Sequence, residues 1–138
     1  MRVTRTHPTL FTASFYTSDD WVGRLYRVSR SHPRGRKVQW EVLPSFYPDR
    51  ALIRAYRSGD LDLASFEAAY LRGLGDACAQ VEGRTAVRPS VRGWLEAAPF
   101  LGDFTLLCFE PFGEPCHRRV LAHWLLERVP SLALGALR

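Results

Sequence analysis

The sequence predicts an α/β fold: a single small layered domain over residues 1–138, with a mainly parallel sheet of three to five strands flanked by helices. Three observations point there. Short β-branched and aromatic runs are interspersed with segments whose apolar residues recur at helical spacing. The run DFTLLCFE, residues 103–110, is almost continuously apolar, which suits a strand covered on both faces as parallel strands are. A length of 138 residues with 46% apolar content is enough for one continuous core.

TLFTASFY, residues 9–16, reads as the first strand, and Ser18, Asp19 and Asp20 follow as turn or helix-start signals. RLYRVSR, residues 24–30, sets Leu25, Arg27 and Ser29 against Tyr26, Val28 and Arg30, the alternation of a second strand near an edge. HPRGRK, residues 32–37, is a basic loop broken by Pro and Gly, and 43–49 is a Pro-bounded connection. Pro48 stands near the start of a helix carrying Leu52, Ile53 and Tyr56, with Gly59 past its end.

A longer helix begins at about Leu63, with Phe66, Ala69, Tyr70, Gly73, Ala77 and Val81 as its stripe and Cys78 beside it as a small core residue. Residues 83–88 form a loop. Ser90 to Ala98 is a short helix with Val91, Trp94 and Leu95 inward, stopped by Pro99. After the strand at 103–110, Pro115 suits the first turn of a helix reaching about Arg128, with Val120, Leu121, Trp124 and Leu125 as its apolar face. LALGAL, 132–137, is a last edge strand or an extended end. One tension remains. About seven residues join the first two strands, fewer than the dozen or so of a usual parallel crossover. Antiparallel pairing of those strands would put Ser29 and Arg30 at the wrong end of the sheet for a shared site.

No apolar run approaches the roughly 20 residues of a membrane helix. The first 18 residues are rich in Arg, Thr and Ser but lack the apolar stretch of a signal peptide. The odd cysteine count (Cys78, Cys108, Cys116) favours free thiols in a reducing cytosol, so a cytoplasmic location without a membrane partner is expected. The net charge is +5 and Lys37 is the sole lysine among 19 basic residues. Arginine grips phosphate bidentately, although GC-rich coding also produces such a bias.

Chemistry concentrates in LLCFEPFGEPCHRR, residues 106–119. A strand end, a turn and a helix start form an anion-attracting corner, because the first N–H groups of a helix lack partners and carry partial positive charge. Four readings stand side by side: an anion or nucleotide pocket using Arg118; a nucleophile, Cys116 or Cys108, assisted by His117; a zinc site of Cys108, Glu110, Cys116 and His117; and a structural cluster in which Arg118 pairs Glu110. The zinc reading suffers from the absence of a CxxC knuckle, so no metal and no cofactor are expected. The candidate catalytic residues are Cys116, His117 and Glu110. Arg118, Cys108, Ser29, Arg30, Thr17 and Ser18 are the candidate ligand- and anion-binding residues.

Leu107-Cys108-Phe109-Glu110 followed by Cys116-His117-Arg118 resembles the signature of the bacterial proteins called domain of unknown function 488. The likeness extends more loosely to Tyr16-Thr17-Ser18, to Val28-Ser29-Arg30 with Pro33, and to the helix around Phe66 to Leu74. It implies a small α/β domain with a site at the motif residues, names no reaction, and hints at nucleic-acid processing. The chain departs from many members in lacking a Gly-Tyr-Ser start and an Asp-Val-Arg strand.

The expected function is therefore a pocket for a phosphate-bearing small molecule or nucleotide, possessed by a protein that is either an enzyme of nucleotide or nucleic-acid metabolism or not an enzyme. The alternative is a non-catalytic nucleic-acid-binding module using Arg24, Arg27, Arg30, Arg34, Arg36 and Lys37, with Tyr26 and Trp40 near enough to stack on bases. Substrate, reaction and oligomeric state stay open at this level.

Overall fold

A computed structural model describes residues 8–30, 40–79, 91–108 and 117–137. In chain order its elements are β1 (Thr9–Ser14), β2 (Arg24–Arg27), β3 (Glu41–Val42), α1 (Arg50–Arg57), α2 (Leu63–Ala79), α3 (Val91–Ala97), β4 (Phe104–Cys108), α4 (His117–Arg128) and β5 (Ala133–Leu137). The strands form one sheet in the order β3-β2-β4-β1-β5, and every pairing is parallel. The expected parallel α/β architecture is present, with β4 at its centre.

The register fixes which ends meet. Leu10 of β1 and Arg24 of β2 both pair with Phe104, while Ser14 pairs with Cys108 and Arg27 with Leu107. The carboxyl ends of β1, β4 and β2 therefore emerge along one edge. Alternation splits the strands between two faces. Leu10, Phe104, Leu106, Tyr26 and Val28 share a core with Tyr70 and Leu74 of α2, Val91 and Trp94 of α3, and Leu121, Trp124 and Leu125 of α4. Tyr26, Phe46, Trp94 and Phe104 make edge-to-face ring contacts with centroids 5.3–5.9 Å apart. Such pairs each add about 0.5–1.5 kcal/mol beyond area burial. Ala13, Phe15, Leu107 and Trp40 form a smaller cluster on the other face, joined by Trp21 and Leu25.

The tension over the first two strands resolves here. They are not neighbours; β4 lies between them, parallel to both. Residues 15–23 make the return with a single 3-10 turn, Ser18–Asp20, and no α-helix, so the length rule for α-helical crossovers does not apply. Nine extended residues reach about 30 Å, against about 17 Å back along a five-residue strand and about 10 Å across. The return segment runs over the second face. The Thr105 hydroxyl accepts from Val22 N–H at 2.8 Å and donates to the Val22 carbonyl at 2.7 Å. The Trp21 indole N–H donates to the Ser14 carbonyl at 2.9 Å, and its ring meets Trp40 edge-on. Gly23 then enters β2 at φ 65°, and a Cβ there would overlap the Asp103 carbonyl. That carbonyl accepts from Arg24 N–H, and the Asp103 carboxylate accepts from Thr9 N–H, both at 2.9 Å.

The helices follow their sequence signals, with adjustments in α2 and α4. Asp62 caps α2 by accepting from Ser65 N–H at 2.7 Å, which holds its carboxyl below the usual range. The buried side of α2 is Phe66, Tyr70 and Leu74, with Cys78 packed partly buried beside it; Gly73 is exposed. The apolar face is thus rotated from the expected stripe toward the larger side chains, because glycine offers nothing to bury. In α4, Leu121, Trp124 and Leu125 are buried as expected, and Val120 only partly. The two-residue strand β3 leaves no mark in the sequence, being too short and too exposed to show alternation. LALGAL does supply an edge strand, β5, beside β1. Val81 and the loop at 83–88 lie outside the described residues.

Two substitutions test the crossover. Thr105→Val strands both Val22 backbone groups and should cost about 1–3 kcal/mol in urea unfolding. Gly59 also has positive φ (85°), but nothing lies within 4 Å of a Cβ there. Gly23→Ala should therefore lower the unfolding midpoint more than Gly59→Ala; equal losses would show that the approach to Asp103 is unimportant.

Candidate functional site

The carboxyl edge of the sheet brings together three of the sequence candidates: Cys108 at the end of β4, Ser29 just past β2, and His117 opening α4. The parallel register places Cys108 and Val28 on the helix face, and α4 packs against β1 and β4. His117 is buried between them. Its Nε2 lies 2.7 Å from the Val28 carbonyl and its Nδ1 lies 3.8 Å from Cys108 Sγ. A carbonyl only accepts, so Nε2 carries a proton, and in the neutral ring Nδ1 presents its lone pair to the thiol. The Tyr70 ring meets the imidazole edge-on at 5.4 Å, and the Tyr70 hydroxyl donates to the Phe46 carbonyl at 2.7 Å.

Arg118 is fully enclosed, at 0% exposure. A guanidinium buried to that degree is stable only among compensating charges or dipoles. Ser29 is buried next to the Val28 carbonyl that holds His117. Glu110 and Cys116 lie outside the described residues.

The remaining candidates are committed elsewhere. Arg30 donates from Nε to the Pro48 carbonyl at 2.8 Å and sits over the Tyr47 ring. The Thr17 hydroxyl donates to the Ser14 carbonyl at 3.3 Å, and Ser18 is exposed at the head of a 3-10 turn on the crossover. Two participants carried no sequence signal of their own. The Val28 carbonyl is a main-chain group, and Tyr70 looks like one more member of an apolar stripe.

The basic segment is corrected on one point. Tyr26 and Trp40, expected to be free to stack on bases, are both buried, one under the helices and the other against Phe15 and Trp21. Arg24 forms a two-pronged, half-exposed pair with Glu41 at 3.0 and 3.1 Å, and Arg27 donates to the Tyr47 hydroxyl at 2.8 Å. An exposed pair of this kind contributes about 0–1 kcal/mol. Arg34, Arg36 and Lys37 lie outside the described residues. Among the described residues no group of three or more His, Cys, Asp or Glu is placed to hold a metal, and no helix is long and apolar enough to cross a membrane.

These features define a class: a parallel α/β domain with titratable groups gathered at the carboxyl edge of its central strand. Within that class the chain belongs to the DUF488 family. Residues 16–129 match the model DUF488-N3a, described as the active DUF488-N3 subclade. Neither a curated protein nor a solved structure matches the chain.

Burial pushes the Tyr26 phenol from 10.0 up to about 12; Glu41 pushes the same way and Arg24 opposes. The folded state thus holds the proton more tightly than the unfolded chain. The resulting stability is complete below pH 10 and is lost as pH rises toward about 12. Unfolding free energy measured from pH 9 to 12 should fall in that window, and Tyr26→Phe should fall less steeply.

Proposed function

We propose that this domain is an enzyme that binds a phosphate-bearing or nucleotide-like small molecule at the carboxyl edge of β1, β4 and β2 and moves a proton through His117. The observation that carries this reading is the clamp on His117. One ring nitrogen is spent on a main-chain carbonyl and the other faces a thiol, at the edge where parallel sheets take their ligands. A structural histidine needs no second titratable partner, whereas a proton carrier does. The word "active" in the description of the matched subclade agrees with a working site.

The anion preference rests on position. The start of α4 lies at this edge with its partial positive charge, and Arg118 is the second residue of that helix. Glu110, two residues beyond Cys108, and Cys116, directly before His117, complete the set in the sequence. Their roles toward His117 and Arg118 rest on sequence position alone.

The test is a thermal-shift panel of inorganic phosphate, ribose phosphates and nucleotides against the wild type and Arg118→Lys, which keeps the charge but not the fork. At a hundredfold excess over Kd a ligand stabilises by about 2.7 kcal/mol, a Tm rise of several degrees. At least one ligand should do so in the wild type and lose most of its effect in the variant. A panel that leaves the wild type unmoved, or that shifts both proteins equally, overturns the pocket.

A further inference from the structure

We propose that the outer face of α1 is a docking surface for the sugar–phosphate backbone of double-stranded nucleic acid. This surface is separate from the edge at His117 and does not depend on the reading of that edge.

The helix is short, RALIRAYR, and its two sides differ. Leu52 packs on the helical core and the Tyr56 ring meets Phe66 at 5.1 Å, so the apolar side is turned to the protein. Arg50, Arg54 and Arg57 are exposed and recur at i, i+4 and i+7. At 3.6 residues per turn they share an arc of about 60° and span about 10 Å along the helix axis. No acidic residue interrupts the helix. Asp49 and Asp60 lie off its two ends, and Asp60 accepts from the Ser58 hydroxyl at 2.9 Å. Among the described residues nothing pairs with the three guanidinium groups. They differ in this from Arg24, Arg27 and Arg30, which are held by Glu41, Tyr47 and Pro48.

The stability of the helix does not account for the stripe. An exposed helix face gains from opposite charges three or four residues apart and loses from like ones. Here both spacings, 50 to 54 and 54 to 57, join like charges. The helix dipole favours Arg54 and Arg57 in the last turn but opposes Arg50 in the first.

A regular row of negative charge supplies what the helix lacks. A duplex offers one, with a charge about every 1.7 Å of its axis. Arginine forks fit its phosphates. The aromatic rings nearby are already engaged, which favours backbone contacts over stacking on bases. Tyr47 carries Arg27 and Arg30 against its ring, Tyr56 faces Phe66, and Tyr26 and Trp40 are buried. A lipid surface fits less well, because a membrane-bound amphipathic helix needs its apolar side free.

The test is fluorescence anisotropy with a labelled DNA duplex of about 20 base pairs, repeated from about 50 to 200 mM salt. The logarithm of the affinity falls with that of the salt concentration by about 0.9 per neutralised phosphate. The combined changes Arg50→Gln, Arg54→Gln and Arg57→Gln should flatten this slope by about 2.7 and weaken binding at low salt roughly tenfold or more. Arg54→Gln alone should flatten it by about 0.9, which keeps the test open if circular dichroism shows the triple variant misfolded. Arg92→Gln with Arg128→Gln removes exposed arginines from α3 and α4 and should leave the slope unchanged. No duplex binding by the wild type at low salt, or an unchanged slope in the folded stripe variants, overturns the proposal. So does an equal loss per arginine in the α3 and α4 control, which would reduce the effect to net charge. Vesicles of phosphatidylserine and phosphatidylcholine form the second arm. Stripe-dependent binding to them by a protein that ignores the duplex assigns the face to a membrane and overturns the proposal as well.

Discussion

The fold depends on covering β4 twice. This central strand is buried at every position from Phe104 to Cys108, so neither face can be left to water. The helical core takes the face of Phe104 and Leu106, which leaves Thr105 and Leu107 to the short return from β1 to β2. This strand-to-strand link holds only one short 3-10 turn, Ser18–Asp20, and its backbone polar groups need partners where it crosses the sheet. Thr105 supplies both partners for Val22 from within the strand being covered. A buried threonine in an otherwise apolar strand is thus the attachment point that permits a parallel arrangement with a crossover lacking an α-helix.

That arrangement creates the site. Were β2 antiparallel to β4, the Val28 carbonyl would lie at the opposite edge from Cys108, and His117 could not bridge them. Parallel pairing brings the strand ends together, and α4 starts close enough for one imidazole to contact both. The histidine is fixed from three directions: the carbonyl of one strand, the thiol of another, and an aromatic ring from α2. The contact on His117 also serves stability, since Tyr70 joins α2 to the Pro44–Phe46 turn.

The arginine-rich character of the first half has a more structural use than net charge suggests. Arg24 ties β2 to β3 through Glu41, while Arg27 and Arg30 converge on Tyr47 and Pro48. These contacts brace a narrow edge of the sheet, where β3 contributes only two residues. Tyr26 and Trp40, the two aromatics expected to stack on bases there, are in the core instead.

Periodicity and punctuation in the sequence determined most of the elements among the described residues: four of the five strands, the four α-helices, and the family signature at Cys108 and Cys116–Arg118. They succeeded because burial of a strand or a helix face leaves a repeating mark in the residue types. The same signals misplaced the face of α2 at Gly73, where side-chain size outweighed spacing, and missed β3, where two residues cannot repeat anything. The tertiary structure alone decided the strand order, the fate of Tyr26 and Trp40, and the partner of His117. That partner is a peptide carbonyl 89 residues away in the chain. Every residue carries the same carbonyl, so no choice of amino acid at position 28 could announce it; only the register of parallel strands brings it to the ring.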